Sequence, residues 1–334
     1  MRGRTFGIFG RTIGRSVIAV VFTCAILGTA QAQAWKPEKP VEIIAASGPG
    51  GSTDKLARTI QRIMQDEKLV PTPVSVVNKP GGNQTLARAY LNQHAGDGHY
   101  VDLGNPTLLA NQVMGLTPQQ YSDFSPMALL LDEYTVFSVR ADSPFKTGAE
   151  LLKRLAQQPD SLSIGITTRG GANHVALALA AKAARAEVKR LKIVSFKSSS
   201  ESMTALLGGH IDLVASSASP AMGHFQQGRT RIVAISSPSR MTGALATVST
   251  WKEQGVAATN ANWRALVGPK GLSDAQIAYW EDVAGRVTRS AAWKKELEAN
   301  FWEAHLLTGR ALRDFLADEH KEHKEILGEL GLAK

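Results

Sequence analysis

Cysteine is all but missing: the 334 residues contain one, Cys24, and it lies among the first 34. Past that segment the chain has no disulfide, no thiolate metal site and no cysteine nucleophile. It must fold on its hydrophobic core alone, which ~300 residues supply for two modest domains. Other absences narrow the field further. No two arginines adjoin near the N-terminus, so a twin-arginine export route has no support. Val21-Phe22-Thr23 precedes Cys24 where lipid attachment would want a leucine three back and a small residue just before. There is no basic tract suited to a phosphate backbone, no Gly-x-Ser-x-Gly nucleophile elbow and no His-Glu-x-x-His zinc helix.

What is present begins with a leader. Arg2, Arg4, Arg11 and Arg15 form a basic front, an apolar run covers Val17 to Leu27, and small residues follow around Ala30-Gln31-Ala32 and Ala32-Gln33-Ala34. That order predicts a signal peptide over 1–34, removed after Ala32 or Ala34, and hence a periplasmic protein. The apolar run falls short of the ~20 residues that span a bilayer. Four of the 38 basic residues and none of the 29 acidic ones lie in the leader, which lowers the formal charge from +9 to +5. A mild positive field of this kind raises the local concentration of an anionic ligand.

Beyond Trp35 short β-type runs alternate with amphipathic helical runs, predicting an α/β architecture with largely parallel strands. Val41 to Ala45 reads as a buried strand, and Leu56, Ile60, Ile63 and Met64 share one face of the helix that follows. Ser273 and Gln276 form a capping box for a later helix. The apolar run from Met127 to Val139 is too extended for one ordinary strand and suits a crossing between two lobes.

The recurring event is strand, then a loop of Gly, Ser and Thr, then helix. A helix start leaves N–H groups unpaired under the positive end of the peptide dipoles, and glycine lets an anion approach them. Residues 48–54 (Gly-Pro-Gly-Gly-Ser-Thr-Asp), 79–83 (Lys-Pro-Gly-Gly-Asn) and 167–171 (Thr-Thr-Arg-Gly-Gly) all have this form. No Lys-Ser/Thr follows the first set of glycines, so it is not a nucleotide phosphate loop, and Thr53 replaces the third glycine of the dinucleotide pattern. Each loop singly is an ordinary N-cap; three in one chain suggest a shared carboxylate site.

At these loops the sequence resembles the Bug-type substrate-binding component of tripartite tricarboxylate transporters. The likeness runs from about Lys36 to the C-terminus, through blocks at 48–58, 77–82, 96–98, 123–128, 206–213 and 263–272. The resemblance implies a two-lobed periplasmic-binding-protein fold, type II-like, with two hinge crossings. Lobe one would be 35–138 plus 237–334, and lobe two 139–236. It implies first-lobe ligand contacts from Ser47, Gly51, Ser52, Thr53, Gly82 and Asn83. The second-lobe contacts would be Thr167, Thr168, Ser198 and Ser199. It implies no enzyme activity, cofactor or metal, and a monomer that binds a small carboxylate and hands it to a small and a large membrane subunit. The sequence departs from the family at Ala46-Ser47-Gly48, at Ser195-Phe196-Lys197-Ser198 and at Arg169, which leaves pocket size and ligand identity open.

Individual residues admit more than one role. Arg169 is either a bidentate clamp on a ligand carboxylate or a solvent-facing side chain on the loop rim. Asp54 reads as a first-turn residue, Asp212 as structural, and Ser216, Ser217 and Ser219 as secondary candidates. His320 and His323, flanked by Glu319 and Glu322, read as a solvated helix end rather than a metal site. Two alternatives to transport remain: a sensor that signals to a membrane partner, and a hydrolase in which His174 would serve Ser198.

Overall fold

The computed structural model describes residues 35–334; the leader expected over 1–34 lies outside the described residues. Eleven strands and ten α-helices follow in order. They are β1 (Val41–Ala45), α1 (Ser52–Asp66), β2 (Val74–Asn78), α2 (Thr85–Asn92), β3 (Tyr100–Gly104), α3 (Thr107–Val113) and β4 (Ser125–Glu133). Next come β5 (Thr135–Arg140), α4 (Gly148–Gln157), β6 (Ser163–Ile166), α5 (Ala172–Ala183), β7 (Lys192–Ser195), α6 (Ser199–Leu207), β8 (Leu213–Ser217), α7 (Ala218–Gln226) and β9 (Thr230–Ile235). The chain ends with β10 (Arg264–Gly268), α8 (Asp274–Arg289), α9 (Ala291–Asn300), β11 (Trp302–Thr308) and α10 (Gly309–Glu329).

Two sheets organise these elements. The first has the order β11-β4-β10-β3-β1-β2 and the second β7-β6-β8-β5-β9. In each, three consecutive strands are parallel with the first in the middle: β1 between β2 and β3, and β6 between β7 and β8. Strand order reverses at β1 and at β6, so the connections leaving their C-terminal ends diverge and open a crevice there. The remaining strands, β4, β5, β9, β10 and β11, pair antiparallel.

Local sequence explains the elements that frame the crevice. In α1 the predicted stripe of Leu56, Ile60, Ile63 and Met64 is buried against β1 and α8, in a core that also holds Trp280 and Trp293. The capping box of Ser273 and Gln276 starts α8 as expected. The run from Met127 to Val139 is two strands in different sheets, β4 and β5, joined at Tyr134. Tyr134 forms an antiparallel bridge with Ala261, on the segment that returns from the second sheet to β10. The two crossings thus lie side by side as a double-stranded hinge.

Strand pairing and packing move both lobe borders expected from sequence. Residues 135–138 belong to β5 and pair with β8 and β9, in the second sheet rather than the first. After β9 the chain stays with the second sheet until about Ala258. Met241, Leu245 and Val248 pack on Met203 and Leu206, and Trp251 is fully buried against Phe137, ring centroids 4.8 Å apart. Gly148 makes room for that indole, since a methyl group there would strike it. This stretch is irregular and has no periodic apolar pattern, so only its tertiary burial reveals which sheet it serves.

Candidate functional site

A cleft of about 720 Å³ lies where the C-terminal ends of the parallel strands of both sheets face each other. Its walls are loops, and each loop feeds a helix. Six of the ten α-helices among the described residues have their N-cap residue on this one cleft: Gly51 of α1, Gln84 of α2, Pro106 of α3, Gly171 of α5, Ser198 of α6 and Ser217 of α7. Of the six, only Ser198 caps its own helix, accepting from the Glu201 N–H at 3.1 Å. The first two N–H groups of α1, α5, α6 and α7 have no partner among the described residues. Unpaired donors and the positive ends of six helices therefore converge on one space, which suits negative charge.

The β1–α1 loop owes its shape to Asp54. This buried carboxylate accepts from Gly50 N–H at 2.8 Å, Asn78 Nδ2 at 2.9 Å and Arg58 Nε at 3.1 Å. Burial alone would raise its pKa, but these donors outweigh burial and lower it. Ser47 Oγ accepts from the Asp54 N–H at 3.1 Å, and Asn78 Nδ2 reaches the Ser47 carbonyl at 2.9 Å. Asp54 is a first-turn residue, as the sequence suggests, and it also braces the loop whose glycines stand at the cleft edge.

Of the eleven residues proposed from sequence, nine line the cleft: Ser47, Gly51, Ser52, Thr53, Asn83, Thr167, Thr168, Ser198 and Ser199. Gly82 and Arg169 do not. Gly82 serves the turn instead, with φ of 56° and its carbonyl accepting from Thr85 Oγ1 at 2.7 Å. Arg169 is exposed, on a loop that Gly170 turns through a φ of 72°. That placement is the one the rim role describes, and the clamp has no lining contact to support it. Of the secondary serines, Ser217 and Ser219 line the cleft, whereas buried Ser216 donates to the Ser217 carbonyl at 3.0 Å. Asp212 is structural, accepting from both the N–H and the hydroxyl of Ser163.

Several lining residues escaped sequence reading. Glu133, Asn262 and Arg264 form the hinge wall. Arg264 Nη2 pairs with Glu133 Oε2 at 2.9 Å, both side chains almost fully buried, and Arg264 Nη1 donates to Asn262 Oδ1 at 2.6 Å. Burial lowers the Arg264 pKa while Glu133 opposes that shift. The only hint in the sequence was a pair of acids, Asp132-Glu133, inside an otherwise apolar run. Lys55, Lys197, Gln84, Asn105 and Thr107 also reach the cleft. Lys55 Nζ is held at 2.5 Å by Asn300 Oδ1.

The hydrolase arrangement and the solvated histidine helix both need correction. His174 is buried, does not line the cleft, and accepts the Gly170 N–H on Nδ1 at 3.0 Å. Burial and Arg169 push its pKa down to about 4, so it is spent on shaping its own loop. On α10, His323 is 1% exposed and its Nδ1 faces the Glu319 carbonyl at 2.8 Å. Glu319 accepts from Trp263 Nε1 at 2.9 Å. This helix end is packed rather than solvated. Among the described residues no group of three His, Cys, Asp or Glu is placed to hold a metal ion.

The profile of the Tripartite tricarboxylate transporter family receptor matches residues 56–332. The chain belongs to that family. A relative from Cupriavidus necator, described as the UPF0065 protein in the gbd 5' region, is 28% identical over 308 residues, 91% of this chain and 92% of its own. The crystal structure of a TctC solute binding protein from Polaromonas superposes with a TM-score of 0.73 at 25% identity, covering 88% of this chain and 99% of that one. MatC from Rhodopseudomonas palustris, solved with bound malate, gives 0.72 at 20% identity over 87% of this chain and 99% of its own. The receptor fold of two lobes about a hinge is thus common to the family and to this chain.

Proposed function

We propose that this receptor is exported to the periplasm, captures a small carboxylate in the interlobe cleft and delivers it to membrane transporter subunits without altering it. The observation that carries this reading is the convergence of six helix N-termini on one cleft. The unpaired main-chain donors of four of them stabilise an anion with few formal charges, and the charged lining residues add only Lys55, Lys197 and Arg264 against Glu133. Ser47, Gly51, Ser52, Thr53 and Asn83 would hold the ligand from one side; Thr167, Thr168, Ser198 and Ser199 would complete the donor set from the other. Closure about the hinge at Tyr134 and Ala261 would then bring the two halves together, in proportion to the ligand's preference for the closed form. The malate bound to MatC fits the same chemistry.

A thermal-shift screen of malate, adipate, citrate, glutamate and benzoate tests the reading. A true ligand at 100 times its Kd should add about 2.7 kcal/mol to stability. The acid should also be recovered unchanged in stoichiometric complex. Turnover of an ester or amide would instead support a hydrolase, and no shift with any acid would remove the carboxylate reading. Recovery of a membrane kinase rather than a permease on pull-down would favour the sensor.

A further inference from the structure

Residues 81–84 all have positive φ: 117° at Gly81, 56° at Gly82, 52° at Asn83 and 73° at Gln84. Glycine takes this region freely, but asparagine and glutamine pay for it, roughly 1–2 kcal/mol each on general steric grounds. Such strain persists only where the surroundings hold it. Asn83 is held by a reciprocal pair with buried Asn111: Asn83 Nδ2 donates to Asn111 Oδ1 at 2.6 Å, and Asn111 Nδ2 donates to the Asn83 carbonyl at 2.8 Å.

Gln84 is held differently, through its side-chain oxygen. Oε1 accepts from Asn105 Nδ2 at 2.9 Å and from Arg88 Nη2 at 3.3 Å, and Thr107 Oγ1 lies 2.9 Å away. Arg88 is 3% exposed and also donates to Thr107 Oγ1 at 2.8 Å. A guanidinium has no acceptor, so the Gln84 atom facing it must be oxygen. The opposite end, Nε2, therefore turns away from the network and has no partner among the described residues, while Gln84 itself lines the cleft. Behind Arg88 lies Asp102, wholly buried, whose charge acts on Arg88 although neither carboxylate oxygen has a hydrogen-bond partner among the described residues.

We propose that Gln84 donates its side-chain Nε2–H to the bound carboxylate, and that buried Arg88 is the positioning residue that fixes the direction of that amide. This rests on the carboxylate reading above. It gives the strained turn a purpose: the left-handed conformation at Gln84 presents a neutral donor beside the unpaired first turns of α1 and α5. It also assigns Arg88 a role that needs no contact with ligand. Without it only Asn105 Nδ2 and Thr107 Oγ1 hold the amide oxygen, and the amide flips more readily to offer that oxygen to an anion.

Isothermal titration with malate, adipate, citrate, glutamate and benzoate provides the test, beginning with the wild-type chain. If none of the acids binds the wild type, the carboxylate reading itself fails and this inference with it. With a ligand in hand, Gln84→Ala should weaken binding roughly ten- to hundred-fold, as for a hydrogen bond to a charged group. Gln84→Glu, which sets a carboxylate where the donor was, should weaken it more. Arg88→Met combined with Asp102→Leu replaces the buried pair by apolar groups that can be accommodated without leaving a lone charge. That double variant should lose several-fold in affinity when Gln84 is present and less than twofold more when Gln84→Ala is already in place. A purely structural role would lower affinity equally in both backgrounds and would overturn the positioning assignment. A Gln84→Ala chain that binds within twofold of wild type overturns the proposal outright.

Discussion

Glu319 shows what one side chain costs when its helix packs it against the core. Its carboxylate, carried on the inner face of α10, packs against the Trp263 indole. Burial pushes its pKa up to about 7, the indole N–H draws it down, and Glu322 pushes it up again. The folded value exceeds the ordinary 4.5, so the folded chain holds the proton more tightly than the unfolded one. Stability is therefore full at low pH, falls as pH rises from 4.5 to 7, and stays low above 7. The contribution is about 3 kcal/mol at most. Asp102, raised to about 6 by burial against the pull of Arg88, acts in the same direction. Glu319→Gln keeps an acceptor for Trp263 and removes the charge. It should raise the urea midpoint at pH 8 and leave it nearly unchanged at pH 5. An equal change at both values would show that Glu319 is not the titrating group.

At the level of elements, the parallel units were the legible part of the chain. The stripe of α1, the capping box of α8 and the β1–α1 glycine loop each announce themselves within a few residues, because period, cap and turn chemistry are local. Nine of the eleven candidate residues reached the cleft for the same reason. What stayed hidden is non-local. The hinge wall of Glu133 and Arg264 joins residues far apart in the chain, and residues 237–258 are irregular, so neither has a pattern to read. The packed end of α10 was hidden by composition: its Glu and His residues look solvated until Trp263 and the β-sheet cover them. Arg169 flanks the site in sequence, while its loop holds it exposed and outside the lining. Ser198 tests how one residue serves both element and site. As N-cap of α6 it satisfies the Glu201 N–H, and its hydroxyl proton remains free to donate into the cleft. Ser198→Ala should cost about 1 kcal/mol of stability, whereas Ser198→Gly should cost only a few tenths. If the hydroxyl also meets ligand, both variants should lose about three- to ten-fold in affinity, as for a neutral hydrogen bond. Affinity that follows stability instead, dropping only in the alanine variant, would confine Ser198 to its helix.

Across the whole molecule, the two lobes touch at a third place besides hinge and cleft. Ala110 and Val113 of α3, Met114 just after it, and Ile326 and Leu327 of α10 form one buried apolar cluster with Val175 and Ala178 of α5. The first two helices belong with the first sheet and α5 with the second, and an exposed pair, Lys182 and Glu329, bridges α5 to α10 at 2.6 Å. The exposed pair is worth little, but the apolar cluster is not. It lies at the C-terminal end of α3, where Met114 packs against Gly170, and along the first half of α5, whose N-terminus opens on the cleft, so the packing that buries it is the packing that brings the two donor sets face to face. Opening the cleft widely would expose it to water. The cluster should therefore hold a large share of ligand-free molecules in the arrangement that binds. Leu327→Ala removes a fully buried side chain, and such truncations cost 2–5 kcal/mol in general. If about 2 kcal/mol of that is lost from the docked arrangement alone, apparent Kd should rise by up to roughly 30-fold through population, with no ligand contact removed. The radius of gyration by solution scattering should increase without ligand and return toward the wild-type value at saturation. A variant that loses thermal stability while Kd and ligand-free radius stay unchanged would show that Leu327 supports α10 only. The docking of the lobes would then rest on the hinge and the ligand.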